Sequence, residues 1–274
     1  MNRQLHEYRI GPSRLSNRLV SPRDLSSISG QDNVVIVHPG RQKKPETLIP
    51  LLNKLANEGF LPIGADTRFG EPDRNLASSY FNSQELGRFP EDFYRRPAAL
   101  LAMCERLGIE QASFIGHSEG AQVGVMAANA DTPPIDFNTM LLVNGVGIGT
   151  LATKQNKSKS KNKADANFQG AEKSELVLSG IDSAWSALTM PGQNYREIAN
   201  IRHFDAWECG AIDVAKSICK KLVLLHAIDD RVIDGADVEE RATESDTEYL
   251  LTTGGHSNIY SRSIQQLIVK TLTD

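Results

Sequence analysis

The residues of this chain best suited to chemistry are a serine, a histidine and an aspartate, each at its own turn. Ser118 stands in Gly116-His117-Ser118-Glu119-Gly120, with the apolar run Ala112-Ser113-Phe114-Ile115 before it and the small-residue run Ala121 to Ala130 after it. That pattern predicts a strand passing sharply into a helix with Ser118 at the turn. The two glycines fit a turn that strains the backbone and brings helix close to strand. A Gly-x-Ser-x-Gly match alone arises by chance in roughly one chain of this length in ten, so the flanks carry the weight. His256 follows Gly254-Gly255, and Asp229 and Asp230 follow the apolar run Lys221 to Ala227. A serine hydroxyl is a poor nucleophile near neutral pH unless a histidine takes its proton and a carboxylate fixes the imidazole tautomer. These three residue types together can therefore perform nucleophilic catalysis.

Elements to position them are legible on both sides. Asn33 to Val37, Leu61 to Ala65, Thr139 to Val143, Lys221 to Ala227 and Thr247 to Thr252 read as short buried strands. Helical spacing is found over Pro45 to Glu58, Pro97 to Leu107, Ala236 to Ala242, and a closing segment that carries Ile259, Ile264, Leu267 and Ile268 and ends at Leu272. His6 to Val20 is expected to form an antiparallel edge pair. Alternation of strand and helix predicts an α/β fold, a mostly parallel central sheet flanked by helices on both faces.

The order nucleophile, acid, histidine, each on a loop at the carboxyl end of a strand, resembles the α/β-hydrolase superfamily from about Asp32 to the C-terminus. Ala227-Ile228-Asp229-Asp230-Arg231-Val232-Ile233 is similar to the acid loop of that family, usually Gly-x-x-Asp-x-x-Val, and the alignment selects Asp230, with Asp229 as the alternative. Some members carry the acid one strand earlier, but here that strand ends in Asn144, which cannot be a carboxylate. The resemblance implies that the backbone N–H of Glu119 is one donor to a developing oxyanion. His38-Pro39-Gly40-Arg41 resembles the family's His-Gly-x turn, and since Pro39 has no N–H the second donor is Gly40 or Arg41. Asp66-Thr67-Arg68-Phe69-Gly70 resembles the turn after the next strand and should fix its own loop. His38 is expected to bond a neighbouring loop, His117 to orient the turn around Ser118, and the Glu119 side chain to be stabilised by the helix N-terminus or to read substrate.

The implied activity is that of a serine hydrolase cleaving a small to medium carboxylic ester through an acyl-enzyme. Hydrolysis of a C–C bond or of an N-terminal peptide bond is the alternative on the same fold, and a ligand-binding or sensor protein on a hydrolase scaffold is the alternative of another class.

The 274 residues, 40% of them hydrophobic, suffice for one core with a modest insertion. Residues 1–149 and 203–274 are expected to form it, and 150–202 a cap. Within the cap, Lys154 to Lys163 has no apolar residue to bury and reads as a solvated loop, whereas Leu176, Trp185 and Met190 line a pocket or anchor the cap. A net charge of −4 gives no reason to expect nucleic acid or an anionic membrane as partner. No apolar leader or spanning segment is seen, and Cys104, Cys209 and Cys219 show no Cys-x-x-Cys spacing, so reduced thiols and a cytoplasmic location are expected. His203, Asp205 and Cys209 lack the spacing of a metal site, and no glycine-rich dinucleotide motif occurs; neither metal nor organic cofactor is expected.

Overall fold

The computed structural model describes residues 6–10, 17–26, 28, 30–31, 33–41, 43–67, 76–87, 91–148 and 211–274. The strands among them are β1 (His6–Ile10), β2 (Asn17–Ser21), β3 (Val34–His38), β4 (Leu61–Asp66), β5 (Gln111–His117), β6 (Asp136–Val143), β7 (Lys221–Ala227) and β8 (Glu248–Thr252). They form one sheet in the order β1-β2-β4-β3-β5-β6-β7-β8. β1 pairs antiparallel with β2 and β2 antiparallel with β4, as expected of the N-terminal edge, and the other neighbours are parallel.

A strand covered on both faces must be apolar at every position, and β3 is, because Val34-Val35-Ile36-Val37 is buried throughout. Successive side chains go to opposite faces. Val35 and Val37 join Ile115, Leu141, Val143, Val223 and Leu225 beneath α1 (Ile49–Asn57). A 3-10 turn, Pro45–Leu48, leads into that helix. Val34, Ile36, Phe114, Met140, Leu142 and Leu224 form the opposite layer. α2 (Ser83–Leu86) is a single turn, and α3 (Glu91–Leu107), α4 (Glu119–Ala128) and α5 (Ala211–Ile218) cover that layer through Leu100, Leu101, Val123 and Ile212. α6 (Gly235–Glu244) follows β7, and α7 (Arg262–Thr273) returns to the first face through Ile264 and Ile268. Each such aliphatic side chain contributes about 1.5–3 kcal/mol when fully buried.

Two details correct the sequence reading. α3 starts at Glu91 rather than at Pro97, which lies inside it. An internal proline costs about 3 kcal/mol. Phe93, Tyr94, Ala98, Leu100 and Leu101 are buried on either side of it, and their burial exceeds that cost. α5 had no counterpart in the strand and helix pattern. The expected cap at 150–202, its lysine-rich loop at 154–163, Arg68, His203, Asp205 and Cys209 lie outside the described residues. Cys104 and Cys219 are buried free thiols.

Candidate active site

β5 delivers Ser118 at the carboxyl end of the sheet, where α4 begins. The serine has φ 54° and ψ −119°, a conformation that costs a residue with a Cβ about 1–3 kcal/mol. Surrounding hydrogen bonds hold it there. Its N–H donates to the carbonyl of Val143 at 3.0 Å, and its own carbonyl accepts from Ala121 and Val146, each at 3.1 Å. The strain sits on the serine and not on its flanking glycines, because Gly116 and Gly120 are absent from the residues of positive φ. Close approach is what requires those glycines. A Cβ on Gly116 would lie 2.6 Å from Cα of Ala121, and one on Gly120 would collide with the His38 carbonyl.

The remaining two groups arrive from the ends of β7 and β8. Asp230 Oδ2 lies 2.8 Å from His256 Nδ1, and His256 Nε2 lies 2.8 Å from Ser118 Oγ. Asp229 is exposed and outside this path, whereas the Asp230 side chain is fully buried. Burial alone would raise the Asp230 pKa. The charge interaction and hydrogen bond with His256, with the N–H groups of Val232 and Ile233 on Oδ1, outweigh it and hold the carboxyl below its ordinary range. An ionised Asp230 only accepts, so the Nδ1 proton of His256 points to it and Nε2 is free to accept from Ser118. The Gly-Gly-His loop is tied to the acid loop, for Gly254 has φ 96° and its carbonyl accepts from Asp229 N–H at 3.1 Å. Asp234 caps α6 through Ala236 N–H.

Three buried side chains hold the histidine loop. His117 Nε2 donates to the His256 carbonyl at 2.9 Å, and Asn144 Nδ2 donates to the same oxygen at 2.7 Å. Asn258 Oδ1 accepts from Asn144 at 2.9 Å. Burial, helped by the neighbouring charge of His256, pushes the His117 pKa down to about 3. His117 is therefore neutral near neutral pH, with its ring 5.5 Å from that of His256. The sequence pattern places His117 at the turn, but at Asn144 it shows only the lack of a carboxylate. Its signal was its type, since Asn tolerates the left-handed backbone that it adopts at φ 48°.

Two of the three residues expected to donate to an oxyanion, Glu119 and Gly40, lie beside Ser118. Glu119 is the first residue of α4, where N–H groups have no intrahelical partner. Gly40 packs against the serine so closely that a Cβ on it would stand 3.0 Å from Ser118 Cβ, and Arg41 is the next residue of the same turn. His38 Nδ1 donates to the Pro39 carbonyl at 2.9 Å, so its Nε2 accepts from the Thr67 hydroxyl, also at 2.9 Å. His38 thus bonds the neighbouring loop. The Glu119 carboxylate is 2% exposed and pairs with Arg96 of α3 at 2.7 Å. No spacing rule links position 96 to 119, so nothing in either segment signals the pair. Among the described residues no cluster of three or more His, Cys, Asp or Glu could hold a metal ion.

No family model matches the chain, and no curated protein matches it. Solved structures do. A serine hydrolase from the polyaromatic-hydrocarbon-degrading bacterium Cycloclasticus zankles is 14% identical at a TM-score of 0.68, covering 98% of each chain. One described as a putative lipase from Acinetobacter baumannii is 12% identical with a TM-score of 0.68, over 98% of this chain and 90% of that one. A 2-hydroxy-6-oxo-6-phenylhexa-2,4-dienoate hydrolase from a Rhodococcus species is 14% identical with a TM-score of 0.63, over 99% of each. The likeness is one of fold: the chain has the α/β-hydrolase fold. Among the described residues no helix is long and apolar enough to cross a membrane.

Proposed function

We propose that the chain is a serine hydrolase that cleaves a small to medium carboxylic ester through an acyl-enzyme. The observation that carries this reading is the continuous hydrogen-bond path from Ser118 Oγ through the His256 ring to Asp230 Oδ2, with 2.8 Å at each junction. As Ser118 Oγ attacks the ester carbonyl carbon, His256 Nε2 takes the hydroxyl proton and Asp230 stabilises the resulting imidazolium. The carbonyl oxygen becomes an oxyanion held by the Glu119 N–H and by the N–H of Gly40 or Arg41; one such donor contributes roughly 10²–10³ in rate. Collapse breaks the bond to the alcohol oxygen, which leaves with the proton from His256. Water then attacks the acyl-Ser118 carbonyl and gives its proton to Nε2. A second tetrahedral oxyanion forms, and its collapse releases the acid and returns the proton to Ser118. Solved neighbours described as a serine hydrolase and a putative lipase agree with this chemistry.

The test is turnover of a panel of nitrophenyl esters, a vinylogous diketone and aminoacyl amides by the wild type and Ser118→Ala. Ester turnover lost in a folded Ser118→Ala supports the reading. Ester turnover retained in the variant, or turnover of the diketone or amides alone, overturns it.

A further inference from the structure

We infer that Asn144 is a positioning residue for His256: one buried amide sets the histidine loop and the acid loop relative to each other, and catalytic alignment depends on it. This inference rests on the hydrolase reading for its rate predictions, though not for its geometry.

Asn144 directly follows β6, between the strand that delivers Ser118 and the strand that delivers Asp230. Its side chain reaches both downstream loops. Oδ1 accepts from the N–H of Ala227 at 2.8 Å, the last residue of β7 and three before Asp230. Nδ2 uses both protons, one on the His256 carbonyl at 2.7 Å and one on Asn258 Oδ1 at 2.9 Å. The orientation of the amide follows from the contacts. An N–H faces one side and a carbonyl the other, so only the assignment with Oδ1 toward Ala227 satisfies both.

The His256 carbonyl receives a second donor, His117 Nε2 at 2.9 Å. A carbonyl oxygen has two lone pairs, and here both are used. The peptide plane after His256 is thereby fixed from two directions, which fixes the direction in which its Cα–Cβ bond leaves the loop. Asn258 extends the brace, donating to Thr252 Oγ1 at 2.8 Å and to the Thr253 carbonyl at 3.1 Å. Thr252 Oγ1 in turn donates to the His226 carbonyl at 3.0 Å. The brace therefore spans β6, β7, β8 and the histidine loop.

Asn144 also carries a cost that a purely space-filling residue would not need. It is 1% exposed and has φ 48°, a backbone region unfavourable to side chains other than those of Asn and Asp. Asp would fit the backbone but, ionised, it would turn an acceptor toward the His256 carbonyl and Asn258 Oδ1. Strained residues of this kind persist where surrounding structure over-determines them, and cluster at functional sites. Asn144 touches neither substrate nor reacting atoms, so its effect is transmitted through the imidazole.

The test uses Asn144→Gly, since glycine adopts the same φ without strain while removing all three hydrogen bonds. Asn258→Ala, which loosens the brace and leaves position 144 intact, serves if the first variant does not fold. Two readouts are taken on folded protein: the second-order rate of fluorophosphonate labelling, and the downfield proton NMR resonance of the His256 Nδ1–H bonded to Asp230. The expected result for Asn144→Gly is a labelling rate about 10²-fold lower, the scale of a 1 Å misplacement, with the resonance shifted or broadened. For Asn258→Ala the loss is about 10-fold. A folded variant that labels at the wild-type rate and keeps the resonance overturns the inference. A wild type that does not label but shows the resonance, lost in Asn144→Gly, leaves the brace standing and sinks the hydrolase reading instead.

Discussion

His117→Gln should remove one proton's worth of acid sensitivity from the stability of the protein. In the folded chain His117 is 3% exposed and burial pushes its pKa down to about 3, from an ordinary value of 6.5. In the unfolded chain it binds a proton as the pH falls through about 6.5. Between those two values acid favours the unfolded state. Stability from His117 is thus fully present above about pH 6.5 and is lost progressively as the pH falls toward 3. At about pH 4.5 the unfolded imidazole is about two pH units below its pKa, at about 1.36 kcal/mol per unit, while the folded one is still neutral; the loss is about 2.7 kcal/mol. Glutamine carries an N–H donor of similar reach and does not titrate. His226, whose pKa is also lowered by burial, is present in both proteins and cancels in the comparison, as does Asp230. Urea unfolding at pH 7.5 and 4.5 for both proteins measures the effect. The wild-type advantage over His117→Gln should shrink by about 2.7 kcal/mol between the two, from about two pH units of linkage. An advantage that stays constant across that range would show that His117 is protonated in the folded state, and would refute the argument from its burial.

Asp230→Asn should lower kcat by about 10⁴-fold with little change in fold, because the amide would favour the wrong tautomer of His256. Asp229→Asn should leave kcat within about twofold, its side chain being exposed and outside the hydrogen-bond path; steady-state kinetics on one ester decides between the two acids. Breaking the buried pair at one end, with Arg96→Met or Glu119→Leu, should destabilise by about 3–5 kcal/mol, while the double substitution Arg96→Met with Glu119→Leu recovers most of that. A double-mutant cycle in thermal unfolding measures it, and additive single effects would contradict the pairing.

Most of the frame could be read from local pattern. β3 and β7 are continuous apolar runs because both sheet faces are covered, and such runs are visible in a single sequence. The turns bearing Ser118, Asp230 and His256 were marked by their position between such runs and helical spacing. What could not be read depends on contacts distant in sequence. The pairing of Arg96 with Glu119 joins α3 to α4, and nothing in either segment alone announces it. Asn144 meets His256 across 112 residues, so its role appears only once β6 and β8 lie in one sheet. Pro97 misled because a local rule against proline in helices was outweighed by burial on both sides of it. The glycines beside Ser118 were expected to carry backbone strain, which the serine itself bears.

Intact-mass analysis after fluorophosphonate treatment of the wild type, Ser118→Ala and His256→Ala shows whether Ser118 is activated. A single adduct on the wild type, absent from both variants, is the predicted result. A folded wild type with no adduct, or an adduct that persists in Ser118→Ala, would contradict it.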